Sequence, residues 1–177
     1  MMLGALLLLP LGAAAQEQPP LPFEDAGACP FECCTYRGWE AKKPVVLYRE
    51  RSEQSAVAYR AKAGEKVQGL TGVVVTNQYG VTRLLKPMTL GYRKNDEKPQ
   101  LALHAGELLY TLHYEGEGVE LFWYKGQTYS DQISPSGDAL RVESRPQYDW
   151  WVQVKSATGS IGWGKTVDAF AHMDSCE

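Results

Sequence analysis

Trp150-Trp151-Val152-Gln153-Val154-Lys155, then Ala157-Thr158-Gly159, then Ile161-Gly162-Trp163, is the stretch on which the fold turns. Aromatic and β-branched residues run up to a small-residue turn, and a second apolar run follows it. That pattern predicts a strand, a tight turn and a returning strand. Successive side chains of a strand point to opposite faces, so Trp150 and Trp151 must serve different surroundings.

The same grammar extends in both directions. Val45–Tyr48, Ala56–Arg60, Val67–Leu70, Val73–Val75, Val81–Leu85, Leu108–Tyr114 and Val119–Tyr124 are short apolar or alternating runs. Gly, Asn and Asp separate them, as in Asn77-Gln78-Tyr79-Gly80 and in the hairpin signal Gly116-Glu117-Gly118. No stretch of a dozen residues carries a helical period, and only Val167–Met173 suits a short terminal turn of helix. The fold class read from this is all-β, a barrel or sandwich.

A repeat runs through the pattern. Ala63-Gly64-Glu65-Lys66-Val67-Gln68-Gly69-Leu70 recurs as Ala105-Gly106-Glu107-Leu108-Leu109-Tyr110-Thr111-Leu112, sharing the frame A-G-E-x-[VL]-x-x-L. Each copy starts a strand from a glycine turn, so the chain reads as a duplicated unit. The chain has 177 residues, 44% apolar and 22% charged, enough for one or two small globular domains.

Residues 1–15 stand apart. An apolar run from Leu3 to Leu11 leads into Ala13-Ala14-Ala15, the pattern of a secretory signal peptide cleaved near Ala15. The run is shorter than the roughly 20 residues a membrane-spanning helix requires, so no transmembrane anchor is expected. Residues 16–43 follow as a leader, Pro- and Gln-rich from Gln16 to Pro22 and Cys-containing beyond. The expected location is secreted or periplasmic.

In an oxidising compartment Cys29, Cys33, Cys34 and Cys176 read as two disulfides. Three connectivities exist, and a vicinal Cys33–Cys34 bridge is the least favourable. The expectation is that one of Cys33 and Cys34 bonds Cys29 and the other bonds Cys176. The spacing C-x₃-C-C with one remote Cys does not match paired zinc knuckles, so no metal is assigned.

Gly106-Glu107-Leu108-Leu109, Trp151-Val152-Gln153-Val154 and Gly159-Ser160-Ile161-Gly162-Trp163 resemble the bacterial SH3-like domain, whose pattern runs G-[ED]-x-[VL] … W-x-x-V … G-x-x-G-W. The resemblance implies two small SH3-like barrels, or one fused pair. The first unit, 44–88, is degenerate. The second, 89–177, carries a polar insertion at 125–147 and the final Cys. The family pattern makes Trp151 the inward residue and leaves Trp150 facing out. It also implies an aromatic-lined groove for extended peptide, with Trp123, Tyr124, Tyr148 and Trp150 as the ligand-binding set.

No catalytic constellation emerges. His104, His113 and His172 are scattered, and the cysteines are better used in disulfides than as nucleophiles. Glu115, Glu117 and Glu120 cluster by a hairpin and read as a solvated turn. No phosphate loop, zinc-protease motif or Ca²⁺ loop occurs. The protein is therefore expected to be no enzyme, to need no cofactor and to bind no nucleic acid.

Charge is segregated. Residues 36–94 hold 12 Lys and Arg against 4 acidic residues, and residues 95–177 hold 6 against 13. Either the two halves neutralise each other, or Arg49, Arg51, Arg60, Lys62 and Lys66 form a basic face for an anionic polymer or acidic partner. The function expected is an exported, non-catalytic binding module for cell-wall peptide or an extended segment of an envelope protein. The alternative is a disulfide-stapled structural or inhibitory accessory protein without a small ligand.

Overall fold

In Val45–Tyr48 (β3) buried Val45 and Leu47 alternate with half-buried Val46 and Tyr48, as in a strand with one face on a core. The strands around it obey the same rule. The computed structural model describes residues 18–90, 92–93, 101–133, 138–165 and 168–176. Among these the regular structure is entirely β, in curled antiparallel sheets. The proposed signal segment lies outside the described residues.

Phe23–Ala26 (β1), Gly38–Ala41 (β2), β3, Val57–Ala61 (β4) and Lys66–Gln78 (β5) come first along the chain. Together with Gln147–Ser156 (β14), Ile161–Lys165 (β15) and Phe170–Ala171 (β16) they build an eight-stranded sheet, ordered β16-β2-β5-β14-β15-β3-β4. At its centre β5 pairs along its length with β14, from Gln78↔Gln147 to Val67↔Ser156. On its other edge β5 takes β2 at Lys66–Gln68 and β1 at Val73–Thr76.

The sequence between β5 and β14 forms the rest. Gly80–Leu84 (β6), Tyr92–Arg93 (β8), Leu108–Gly116 (β10), Val119–Tyr124 (β11), Gln127–Gln132 (β12) and Leu140–Ser144 (β13) make a second sheet, ordered β13-β6-β10-β11-β12-β8. Met88–Leu90 (β7) and Leu101–Leu103 (β9) pair separately. The first core gathers Trp39, Val45, Leu47, Val67, Val152, Val154 and Phe170. The second gathers Leu84, Leu90, Leu103, Leu109, Phe122, Tyr124 and Tyr129.

Several expectations require correction. The division into units 44–88 and 89–177 does not hold, because β14 and β15 complete the sheet that β3–β5 begin. The inserted piece runs from Tyr79 to Pro146 rather than over 125–147, and its described part includes strands β12 and β13. Gly106–Leu109 starts β10 in the second sheet, while Trp151–Val154 lies in the first. The copy that adjoins the tryptophan strand is Gly64-Glu65-Lys66-Val67.

The repeat is nevertheless real as turn chemistry. The Glu65 carboxylate accepts the Lys62 backbone N–H at 2.9 Å, and the Glu107 carboxylate accepts the His104 N–H at 2.8 Å. In both copies the Glu amide returns a bond to the same residue's carbonyl. Gly64 and Gly106 sit at φ +79° and +90°, where a side chain would be strained. A-G-E is thus a device for turning the chain into a strand, used once in each sheet.

The leader is part of the fold. Residues 16–43 contain β1 and β2, and Pro19, Asp25 and Trp39 are buried. Val67–Leu70 and Val73–Val75 join into β5, because Gly69 and Gly72 are close-approach points and not turns. A Cβ at Gly69 would stand 2.8 Å from the Trp39 ring. In place of a terminal helical turn, Phe170–Ala171 pairs with β2. Gly116-Glu117-Gly118 does form its hairpin, with Glu117 at φ +47° and Gly118 at +81°, both signs a two-residue primed turn needs.

Candidate functional site

The aromatic set separates into four different settings. Tyr124 is buried in the second core and its hydroxyl donates to Glu107 at 2.7 Å. Trp123 is half-buried and meets Phe23 edge-on at 6.0 Å. Tyr148 is exposed, with its ring edge-on to His113 at 5.9 Å. Trp150 shares its strand face with Val152, packs on the first core and meets Phe31 edge-on at 5.9 Å.

Trp150 is not the outward residue that the family pattern implies: it is half-buried and packs on the first core. Trp151, on the opposite face, is also buried, at 7% exposure. The cause is that the N-terminal segment and the second sheet cover surfaces which a free-standing barrel would leave open. The four aromatics do not form one groove.

The covering segment, Phe23 to Cys34, is fixed to both sheets. β1 pairs β5, and the Gly27 N–H donates to the Gly72 carbonyl at 2.7 Å. Asp25 Oδ2 lies 3.0 Å from His113 Nε2, with His113 fully buried. His113 Nδ1 is 3.0 Å from the Tyr114 carbonyl, which can only accept, so Nδ1 carries a hydrogen. Nearby, Thr76 Oγ1 donates to the Leu112 carbonyl at 2.9 Å and joins the sheets a second time.

The disulfides fall as the spacing predicts. Cys29 bonds Cys34 and Cys33 bonds Cys176, with Cα separations of 5.5 and 5.8 Å. Among the described residues, two groups of side chains have donor atoms within 4.8 Å of each other. In Cys33, Asp174 and Cys176 both sulfurs are spent in the disulfide. In Asp25, His113 and Glu115 the donors already hold partners: His113 bonds Asp25 and Tyr114, and Glu115 accepts from Ser130 Oγ. The acidic hairpin is less solvated than expected. Glu117 is exposed, but Glu115 and Glu120 are half-buried, and burial raises the Glu120 carboxyl above its ordinary value.

The basic set divides cleanly. Arg51 donates to Glu24 at 2.8 Å and lies over the Trp163 ring, 5.7 Å from its centroid. Arg83 and Lys86 of the same basic half pair with Glu143 and Asp138 of the acidic half. Arg49, Arg60, Lys62 and Lys66 are exposed, and no carboxylate among the described residues lies within ion-pair distance of them. Lys66 and Lys155 also flank a shallow pocket of about 340 Å³ with Val67, Gln68, Ser156 and Ala157. Lys155 had no part in the sequence-based basic face, because 79 to 146 separates its strand from β5 in the chain.

A large electrostatic perturbation lies at Glu107. The His104 backbone N–H, the Tyr124 hydroxyl and Lys125 all donate to Glu107 and hold its carboxyl near 2. This is a satisfied structural network at the head of β10. Burial pushes the Tyr36 and Tyr59 phenols up to about 12, which keeps both neutral.

What the fold and site define is an all-β, doubly disulfide-linked protein on which Arg49, Arg60, Lys62 and Lys66 are exposed with no ion partner among the described residues. The chain matches no family model, no curated protein and no solved structure.

Proposed function

We propose that the protein is an exported, non-catalytic binding module, built around an SH3-like first sheet, that takes an acidic ligand on its basic rim. The ligand class is cell-wall peptide, an anionic envelope polymer or an acidic extended segment of an envelope protein. One observation carries this reading. Arg51, Arg83 and Lys86 are neutralised within the molecule, whereas Arg49, Arg60, Lys62 and Lys66 stay exposed without ion partners among the described residues. Four uncompensated cations on a chain of net charge −3 create a local positive field against the overall sign. Two disulfides suit the oxidising compartment that the apolar leader implies.

The test is retention on purified sacculi by the oxidised protein, compared with a variant reversing Arg49, Arg60, Lys62 and Lys66 to Glu. Retention should disappear in the variant, and in the parent it should weaken with salt as the screening length falls below about 8 Å. Equal retention of both proteins would remove the rim from the account. A second reading, a structural or inhibitory accessory protein, draws on the packing of Tyr124 and Trp150 into the interior. Capture of a single stoichiometric envelope protein, with no binding to sacculi, would favour it.

A further inference from the structure

Segments 29–34 and 168–176 are fastened together far more tightly than surface loops need. The Cys33–Cys176 disulfide joins them, and the Ser175 N–H and hydroxyl both donate to the Cys33 carbonyl, at 2.8 and 2.9 Å. Thr35 N–H donates to the Met173 carbonyl at 2.9 Å. Arg37 spans the gap, with Nε on the His172 carbonyl at 2.9 Å and a terminal nitrogen on the Asp174 carbonyl. Three non-glycine residues of these segments hold left-handed backbone: Cys33 at φ +54°, Asp168 at +58° and His172 at +62°. Such conformations persist where the surroundings over-determine them, and they concentrate at ligand sites.

The product of this fastening is a pocket of about 300 Å³. Phe31, Phe170 and Met173 give it apolar walls, with Phe170 almost fully buried beneath. Its polar groups are Lys42, His172 and Asp174. The base of Lys42 is fixed by its N–H bond to the Ala169 carbonyl at 2.9 Å. The Asp174 carboxylate is oriented by the Cys176 N–H, which donates to Oδ1 at 2.7 Å. The volume lies at the small end of ligand sites, and apolar walls with a few fixed polar groups are their usual composition.

We propose that this pocket binds a zwitterionic α-amino acid with an apolar side chain. The ligand carboxylate faces Lys42 and His172, its ammonium faces Asp174, and its side chain rests on Phe31, Phe170 and Met173. A simple anion would be repelled by Asp174 and a simple cation by Lys42, so a ligand carrying both charges is the complement. This site is independent of the basic rim.

The experiment is a titration of the full oxidised chain, followed by amide chemical shifts, with L-phenylalanine, N-acetyl-L-phenylalanine and L-phenylalaninamide as probes. L-Phenylalanine should shift the amides of Phe31, Lys42 and 170–174 saturably. Each blocked analogue should bind about tenfold more weakly or worse, since it loses one charge-assisted contact. Lys42→Ala should weaken L-phenylalanine by a similar factor, while Lys42→Arg should retain most of the affinity. Absence of saturable shifts would overturn the proposal. So would equal binding of the three probes, or binding indifferent to Lys42→Ala.

Discussion

Replacement of Gly72 by Ala is the most direct probe of how the N-terminal segment is held on the first sheet. Gly72 has ordinary strand backbone, so the substitution carries no conformational strain of its own. Space is the obstacle. A Cβ there would press on the Tyr36 hydroxyl and lie 2.5 Å from Trp150 Nε1 and 2.9 Å from the Ala28 carbonyl oxygen. One neighbour is the Tyr36 hydroxyl, which is held on the Ala28 carbonyl, one is an indole nitrogen in a packed ring and the third is backbone, so the covering segment itself must lift. Overpacking costs about 1–3 kcal/mol. Lifting also endangers the Tyr36 bond to the Ala28 carbonyl and the Gly27 bond to the Gly72 carbonyl, each worth about 0.5–1.5 kcal/mol. The expected loss is about 2–6 kcal/mol, which for a chain of this size lowers Tm by about 8–16 °C near the middle of the range. Gly38→Ala is the matched control, because a Cβ at Gly38 meets nothing within 4 Å and its φ is ordinary. It should be neutral or stabilise by about 0.4–1 kcal/mol. Urea denaturation of both variants decides the matter. A Gly72→Ala midpoint equal to that of Gly38→Ala would mean that the segment does not press on β5.

Other expectations are simpler to state. Removing the Cys33–Cys176 bridge as a double serine variant should cost about 5 kcal/mol in the chain-entropy account, and removing Cys29–Cys34 only about 2, because their separations are 143 and 5 residues; equal losses by urea titration would contradict that account. Asp25→Asn and His113→Gln should each destabilise by about 3–5 kcal/mol, and the double variant by clearly less than the sum, since either single change strands a buried partner; additive losses would deny the coupling. Glu107 has a folded value near 2 against an ordinary 4.5, so its contribution is present above pH 4.5 and lost as pH falls toward 2. Stability curves of the parent and Glu107→Gln should converge over that window, and curves that stay parallel would refute the network. Trp150→Ala and Trp151→Ala should both destabilise, by roughly 2–5 kcal/mol, because both faces of β14 are covered; a neutral Trp150→Ala would return that residue to the surface.

Much of the fold was legible because strand chemistry is local. Val45–Tyr48, the Gly116–Gly118 hairpin and the turn between Lys155 and Ile161 follow from alternation and from residues that tolerate positive φ. The cysteine pairing was legible in part: adjacency disfavours a Cys33–Cys34 bridge, but which of the two bonds Cys29 depends on where Cys176 arrives. What escaped was non-local. The partner of the Trp151 strand was taken as the nearer A-G-E copy, although both copies carry the same turn chemistry and nothing between them distinguishes their sheets. Gly72 resembled a turn residue between Val67–Leu70 and Val73–Val75, because the rings that approach it come from residues 36 and 150. The candidate site failed for a related reason. A tryptophan on a strand has two faces to choose from, and the element that decides the choice here lies in the leader. The pocket at Lys42 and His172 had no sequence signal, since its walls converge from both ends of the chain.

The pairing of β5 with β14 also sets an order of events. As the chain emerges from its N-terminus, Lys66–Gln78 appears early, but its partner Gln147–Ser156 waits until the whole second sheet has been made. β15 and β16, which bond β3 and β2, come later still. Until then the longest strand presents an unpaired edge, rich in valine, to whatever surrounds it. Contacts of such wide sequence separation form slowly. A nascent chain held unfolded until it is complete escapes this exposure, and one that folds as it grows does not. The topology therefore leaves the β14 side of β5 open until Gln147–Ser156 has been made.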